Sequence, residues 1–381
     1  MNDCYTLYGS HASYYTAKVR AYLRKKNIPF VERLPSDPAF RNRVRPTSGS
    51  HRIPQLLTPQ GQVIQDSVEI LDYLEARFPD IPAIPSTPNQ RTFVHLLELL
   101  ASEGLVQLAW MHRWLFPENL HFVTMEFGRS FRPQGRDEEL LKYGNLIAER
   151  MKSYGLPNSN KALLENLDRQ YQTLLSLFEA HLVEQPYLLG GQPSAADYAF
   201  MGALHAHMGR DPAGLRVLQN HGPRTFRWIE HMLVPEIESP EFFDRPVELL
   251  ALDHIPQTAL AILRWLGKHY GKSFVLGALA FNQIMQRQQP SPGHVLAPDE
   301  DQPTLDPETV RYANAEQLHS TNLHAEWVSQ RARRYFQTLD AGDQQHISAL
   351  ICEGPALDLL KVPVLFPIAR AHNRLVIEQA P

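Results

Sequence analysis

The sequence predicts a small α/β domain, an all-α domain after it, and a mainly helical extension to residue 381. Three observations carry this. Within the first 80 residues short β-rich runs alternate with helical patterns in the order β-α-β, a polar connection, then β-β-α; this is the order of a small mixed sheet with helices packed on it. Four prolines, Pro79, Pro82, Pro85 and Pro88, then mark a linker. Beyond them strand signals nearly vanish and apolar residues recur at helical spacing. The boundaries expected are 1–80, a linker over 81–88, an all-α domain over 89–246, and an extension over 247–381.

Each element follows from local chemistry. Residues 4–8 form a β-rich run that ends at Gly9-Ser10. A helix is expected from Tyr14 to Asn27, with Val19, Tyr22 and Leu23 inward. Pro29 to Leu34 reads as the next strand, and 35–51 as a polar loop. Pro54 pushes Ile53 towards extended geometry and makes their bond a candidate cis peptide. Gln55-Leu56-Leu57 and Gln62-Val63-Ile64 flank a turn at Pro59-Gln60-Gly61. Asp66 is an N-cap residue for a helix that presents Ile70, Leu71 and Leu74. Further helical patterns cover 91–115, 137–152, 161–182 and 195–207, the last opened by a capping box of Ser194 and Asp197. In the extension they cover 258–270, 274–287, 308–339 and 343–352, with an exposed loop over 288–307. No internal repeat is visible.

Composition narrows the function classes. Apolar residues make up 43%, charged residues 20%, and the net charge is −4, so there is no electrostatic case for nucleic acid or an anionic membrane. Lys25-Lys26 and the Arg331, Arg333, Arg334 group read as solvated helix faces. Two cysteines do not make a disulfide scaffold and fit a reducing compartment; Cys4 and Cys352 are expected as buried apolar residues. The first residues show no signal-peptide pattern, and apolar stretches such as Phe274 to Phe281 are too short to span a bilayer. A cytoplasmic location is expected. His205 and His207 have no companions at metal-ligand spacing, so no metal site is expected, and no glycine-rich phosphate loop is present.

One stretch suggests binding. A helix start at Asp66 and Ser67 offers backbone N–H groups and a hydroxyl to a carboxylate. With the backbone of Ile53 exposed at a bend, it could hold both ends of a small extended peptide.

Together the motifs resemble the cytosolic glutathione transferases over about residues 4–240. They are Leu7-Tyr8-Gly9 to Ser13 and on to Lys18-Val19-Arg20; Ile53-Pro54-Gln55-Leu56 with Gln65-Asp66-Ser67; and Leu188-Leu189-Gly190 to Asp197. The resemblance implies a thioredoxin-like α/β domain plus the all-α domain of that family. It implies glutathione as co-substrate, with Ile53, before Pro54, pairing with the cysteinyl backbone and Asp66 and Ser67 holding the γ-glutamyl carboxylate. Gln65, Arg52 and His51 are candidates for the glycyl end. The family more often has Glu before that serine, and Asp66 is shorter.

The chemistry needs a donor that stabilises the glutathione thiolate, because a free thiol with a pKa of about 8.5 is mostly protonated at neutral pH. In the serine-type classes the matching hydroxyl falls on Ser13, at the start of the first helix, where the helix dipole adds to the effect. Tyr14 and Tyr8 remain alternatives. No cysteine occurs in Ser13-Tyr14-Tyr15-Thr16, so a dithiol mechanism is excluded there. Trp110, Arg113 and Trp114 are candidates for the electrophile pocket. The resemblance further implies a small apolar electrophile and a homodimer. A peroxidase or ether-cleaving variant, or a non-catalytic binding protein on the same fold, stays open.

Overall fold

The structure, a computed structural model, describes residues 4–154, 156–296 and 322–378. The chain divides into two compact units, residues 1–83 with 105–250 and residues 84–104 with 251–381.

The first unit begins β1 (Tyr5–Tyr8), α1 (Tyr14–Lys25), β2 (Phe30–Arg33), a π-helical turn over Phe40–Val44, α2 (Arg45–Ser48), β3 (Gln55–Leu57), β4 (Val63–Gln65) and α3 (Ser67–Glu75). The strands form one sheet in the order β2-β1-β3-β4. β1 pairs in parallel with β2, which requires a crossover, and α1 supplies it; the other two pairings are antiparallel. Leu7 and Leu56 face each other across the sheet and are wholly buried. Val19, Tyr22 and Leu23 of α1 are wholly buried too, as their spacing predicts.

Residues 35–51, expected as loop, contain two short helical pieces. Phe40 and Val44, four apart, bury one face of the π turn against Tyr8, with Ile53, Leu57 and Val63 alongside. That spacing was the available signal.

The all-helical part of this unit comprises α5 (Leu105–Leu115), α6 (Pro117–Phe131), α7 (Asp137–Ser153), α8 (Lys161–His181), α9 (Ala195–Met201) with a π turn over Gly202–His207, α10 (Pro212–His221) and α11 (Pro223–Met232). The helical run that precedes α5 is α4 (Pro88–Leu99) and a π turn over Leu100–Gly104, both in the second unit. The Ser194–Asp197 box is present as expected. Asp197 is wholly buried and accepts from Ser194 N and Oγ, each at 2.8 Å, and from Leu188 N at 3.0 Å.

Helices α6, α10 and α11 went unread in the sequence. Each opens with proline at a first-turn position, which suits a helix start but looks locally like a break. Gly128 further weakens the α6 pattern. It is there because α7 lies so close that a Cβ would stand 2.1 Å from Leu140 O; on the facing helix, a Cβ on Gly144 would stand 1.9 Å from Thr124 O.

The basic pair Lys25-Lys26 is not a solvated face. Lys25 is 2% exposed, its Nζ donates to Glu236 O at 2.5 Å, and burial pushes its ammonium down to about 7. Lys26 Nζ pairs with Glu75 at 2.8 Å.

The second unit holds α4 and its π turn, α12 (Gln257–Leu266) with a π turn over Gly267–Gly271, α13 (Lys272–Gln288), α14 (Leu323–Thr338), α15 (Ala341–Ile351), α16 (Pro355–Lys361), and a hairpin of β5 (Ile368–Ala371) and β6 (Arg374–Ile377). Residues 84–88, expected as linker, and 89–104, expected within the all-α domain, group with the extension, where α4 packs a buried polar stripe against α14. Arg91 lies 4.7 Å from the Tyr335 ring centre, the His95 ring edges the same ring at 5.9 Å, and Arg331 Nε is 3.6 Å from Glu98. Arg333, expected in solvent, is wholly buried against Glu326. Cys352, expected inside, is exposed at the end of α15. The hairpin is a departure from an all-helical extension; its turn residues His372 and Asn373 both take positive φ, the signature of a two-residue hairpin turn. Most of the expected loop 288–307 and the first part of the expected helix 308–339 lie outside the described residues.

The helical run Pro88–Leu115 is long and apolar enough to cross a membrane by length and composition, but 83% of its most apolar window is buried inside the protein.

Candidate active site

Strand pairing places the candidate residues. Arg33, Tyr8, Gln55 and Gln65 stand in register across β2, β1, β3 and β4. The chain leaving β1, the chain entering β3 and the chain leaving β4 therefore all open on one edge of the sheet. Ser13 follows the first, Ile53 precedes the second and Asp66-Ser67 follows the third. Two inter-strand steps of about 4.8 Å separate Tyr8 from Gln65, roughly 10 Å in all. A tripeptide in extended form covers about the same length.

Ser13 is the N-cap of α1. Its Oγ accepts from Thr16 N at 3.3 Å, so the hydroxyl proton is left to donate elsewhere. Thr16 must come close for this bond, and Gly9 permits it: a Cβ there would stand 2.2 Å from the Thr16 methyl. The Ser13 segment is held from behind by Arg113, whose Nη1 donates to Ala12 O at 2.7 Å. Arg20 Nη2 donates to Ser10 O at 3.1 Å while the same guanidinium grips Glu32 at 2.6 and 2.7 Å. Ser10 Oγ in turn meets Ser130 Oγ of α6 at 2.9 Å.

The two tyrosines are placed less well for thiol chemistry. Tyr14 is 6% exposed and packs its ring on Gly202, where a Cβ would stand 2.4 Å away, and edge-on to His207 at 5.2 Å. Tyr8 is 3% exposed and packs on Phe40. Burial, reinforced by the neighbouring Asp37, holds the Tyr8 phenol above its ordinary value, which makes it a weaker donor.

At the far strand, Asp66 adopts φ +90°, a conformation uncommon for any residue but glycine, and caps α3 by accepting from Val68 N at 2.8 Å. Asp66 and Gln65 are 8% and 7% exposed and Ser67 2%. The Ile53–Pro54 bond is cis, Ile53 is half-buried, and His51 and Arg52 are exposed beside it. Gln55, given no role from the sequence, builds this bend: its Nε2 donates to Ser50 O at 2.9 Å and Arg52 O at 2.8 Å.

Arg113 and Trp114 require correction as pocket residues. Arg113 is 2% exposed, and besides Ala12 its guanidinium serves both carboxylate oxygens of Asp211 and Ala206 O. Trp114, 4% exposed, stacks on Phe127 in an apolar cluster that Trp110, half-buried, also joins. Helical periodicity places these residues on the inner face of α5, and a charge there is held by partners rather than offered to a ligand. A cavity of about 850 Å³ lies elsewhere, between the end of β2 with its following loop (32–34 and 36–38) and the α6–α7 connection (131–135) with Glu139. No group of three or more potential metal ligands occurs among the described residues.

Residues 7–82 match the family model of the glutathione S-transferase N-terminal domain, and residues 142–234 that of the glutathione S-transferase C-terminal domain. The chain belongs to the glutathione S-transferase superfamily. A probable maleylacetoacetate isomerase of Caenorhabditis elegans is 27% identical over 153 residues, 39% of this chain and 69% of that protein. Among solved structures, the β-etherase LigF of Sphingobium sp. strain SYK-6 is 20% identical, covering 60% of this chain and 94% of that one, with a TM-score of 0.42. A glutathione S-transferase of Methylobacterium radiotolerans, in complex with glutathione sulfonate, is 21% identical, covering 66% and 100%, with a TM-score of 0.37. Helix α6, the α6–α7 connection and the second unit fall outside the two matched domains, whereas most of α7 falls inside the second.

Proposed function

We propose that this protein binds glutathione along the sheet edge defined by Ser13, Ile53 and Asp66-Ser67, and uses its thiolate against an apolar electrophile. The γ-glutamyl carboxylate would sit at the start of α3, where helix N–H groups and the Ser67 hydroxyl favour an anion. The backbone of Ile53 would pair with the middle of the peptide, and Gln65, His51 and Arg52 are the polar groups near its ends. The sulfur would then lie at the start of α1, where Ser13 donates its hydroxyl proton in a hydrogen bond and keeps it. In transfer, the sulfur lone pair forms the bond to the electrophilic carbon, the leaving group departs with its electron pair, and the thiol proton passes to solvent.

The observation that supports this most is Ser13 itself: a cap residue whose oxygen accepts from Thr16 N and whose proton remains available. The alternative activators Tyr8 and Tyr14 are both buried. The isomerase named among the relatives suggests a second use of the same thiolate, reversible addition to an unsaturated substrate. We further infer a cytoplasmic homodimer with a role in removing reactive electrophiles.

The test is calorimetric titration with glutathione for the wild type and for Ser67→Ala. Saturable binding that weakens by about tenfold in the variant, the worth of one hydrogen bond to a charged group, is the expected result. A wild type that takes up no glutathione would end this reading.

A further inference from the structure

The 850 Å³ cavity lies at the end of β2, one strand over from β1 and the chain that leads to Ser13, and its walls say more about the electrophile than family membership does. One wall continues from Arg33, which pairs with Tyr8 across β1 and β2 and whose carbonyl accepts from Gly9 N at 2.9 Å. The other is the tip of the α6–α7 hairpin. That hairpin is held at several points: glycines bring its helices into backbone contact, Ser130 bonds Ser10, and Arg210 pairs with Glu126. The end of α6 is thus tied to Ser10, three residues before the α1 cap Ser13.

The volume is near the top of the range for small-molecule sites, about 300–1,000 Å³, and exceeds what a single aromatic ring fills. Leu34, Pro38, Phe131 and Pro133 give it apolar surface. Its three carboxylates are all engaged within the protein. Glu32 is gripped by Arg20, Asp37 accepts from Ala39 N at 2.7 Å, and Glu139 accepts from Arg136 N at 3.2 Å. Arg132 differs. It lies over the Tyr143 ring at 4.7 Å and donates one Nη2 bond to the Tyr143 hydroxyl at 2.8 Å, with no carboxylate partner among the described residues. An aligned guanidinium of this kind is a receptor for a carboxylate.

We propose that the cavity receives the electrophile, that this electrophile is an extended apolar molecule of about two aromatic rings, and that it carries a carboxylate taken by Arg132. The inference rests on the glutathione reading for its chemistry but not for its binding step. With a benzylic bromide as substrate, the glutathione sulfur forms the carbon–sulfur bond, bromide leaves with the bonding pair, and the thiol proton goes to solvent.

The experiment uses 4′-(bromomethyl)biphenyl-4-carboxylate, its methyl ester, and the unreactive 4′-methylbiphenyl-4-carboxylate. In turnover the wild type should prefer the acid to the ester, and Arg132→Ala should reduce that preference by about tenfold, with Arg132→Lys between them. In calorimetry without glutathione the unreactive acid should bind the wild type and bind Arg132→Ala about tenfold more weakly. Binding of the unreactive acid that depends on Arg132, with no turnover of either bromide, would keep the cavity assignment while removing the transferase reading. Turnover with equal use of acid and ester, or binding that Arg132→Ala leaves unchanged, would overturn the proposal and leave the transferase reading standing. Circular dichroism of the variants confirms that the hairpin is intact.

Discussion

Replacing Ser13 with alanine separates its capping role from its proposed role as thiolate donor, and their sizes differ enough to be told apart. As a helix cap, Ser13 Oγ accepts one bond from Thr16 N. Loss of such a cap costs about 1 kcal/mol, or about 2–4 °C in melting temperature for a unit of this size. As a donor to a thiolate, the same hydroxyl would contribute about 1.5–3 kcal/mol, the worth of a hydrogen bond to a charged partner. That corresponds to a depression of the bound thiol by about 1–2 pKa units from its free value of about 8.5. At neutral pH the thiolate fraction would fall from tens of per cent to a few per cent on mutation, and turnover by about tenfold or more. The ultraviolet absorbance of bound glutathione across pH reports the thiolate directly. Wild type should titrate about 1–2 units below the free thiol, Ser13→Ala close to it, and Ser13→Thr near the wild type. Equal titration midpoints for wild type and Ser13→Ala, with the melting temperature lowered, would show that Ser13 is a cap and nothing more.

Two further outcomes follow from buried charge. Arg113→Met leaves Asp211 without its guanidinium in the interior, and should cost about 3–5 kcal/mol in denaturant unfolding; Arg113→Met with Asp211→Asn should recover part of it, and a loss below about 1 kcal/mol would contradict the ion pair's structural role. His181, wholly buried with Nε2–H donating to Tyr187 O at 3.0 Å, is pushed by that burial down to about 4. Between pH 6.5 and 4 the unfolded chain therefore takes up a proton that the folded chain refuses, so stability is lost as the pH falls through that window, by about 3 kcal/mol at most. Chemical denaturation at stepped pH should show this slope flattened in His181→Gln, and an unchanged slope would assign the acid sensitivity to other groups.

What could be read from the sequence was local. The strand-helix order of the first 75 residues, the cap at Asp66 and the box at Ser194 and Asp197 each depend on a few neighbouring residues, and each has a distinct chemical signature. The readings that failed depended on distant partners. Lys25 and Arg333 look solvated until Glu236 O and Glu326 are seen to receive them. Trp114 and Arg113 look like pocket walls because aromatic and basic residues on a helix are ambiguous between core and ligand until the facing helices are placed. The α6 helix was hidden by Gly128, a residue poor for a helix in isolation and required for this one by the backbone of Leu140.

The same distinction explains why the proposed thiol site was more legible than the cavity proposed for the electrophile. Strand pairing collects Ser13, Ile53 and Asp66 on one edge of a four-stranded sheet, so a motif reader finds the site by finding the strands. The cavity has no such rule behind it. Its walls are a loop after β2 and a helical connection about 100 residues later, and the latter is tied to the segment after β1 by the hydroxyl pair Ser10 and Ser130. Disturbing that pair tests the difference. Ser130→Ala changes no residue of the proposed glutathione site and removes the bond between the end of α6 and Ser10. Its effect should therefore fall on selectivity between the acid and its ester, with glutathione affinity unchanged; a loss of glutathione binding instead would mean that the hairpin helps to build the thiol site as well.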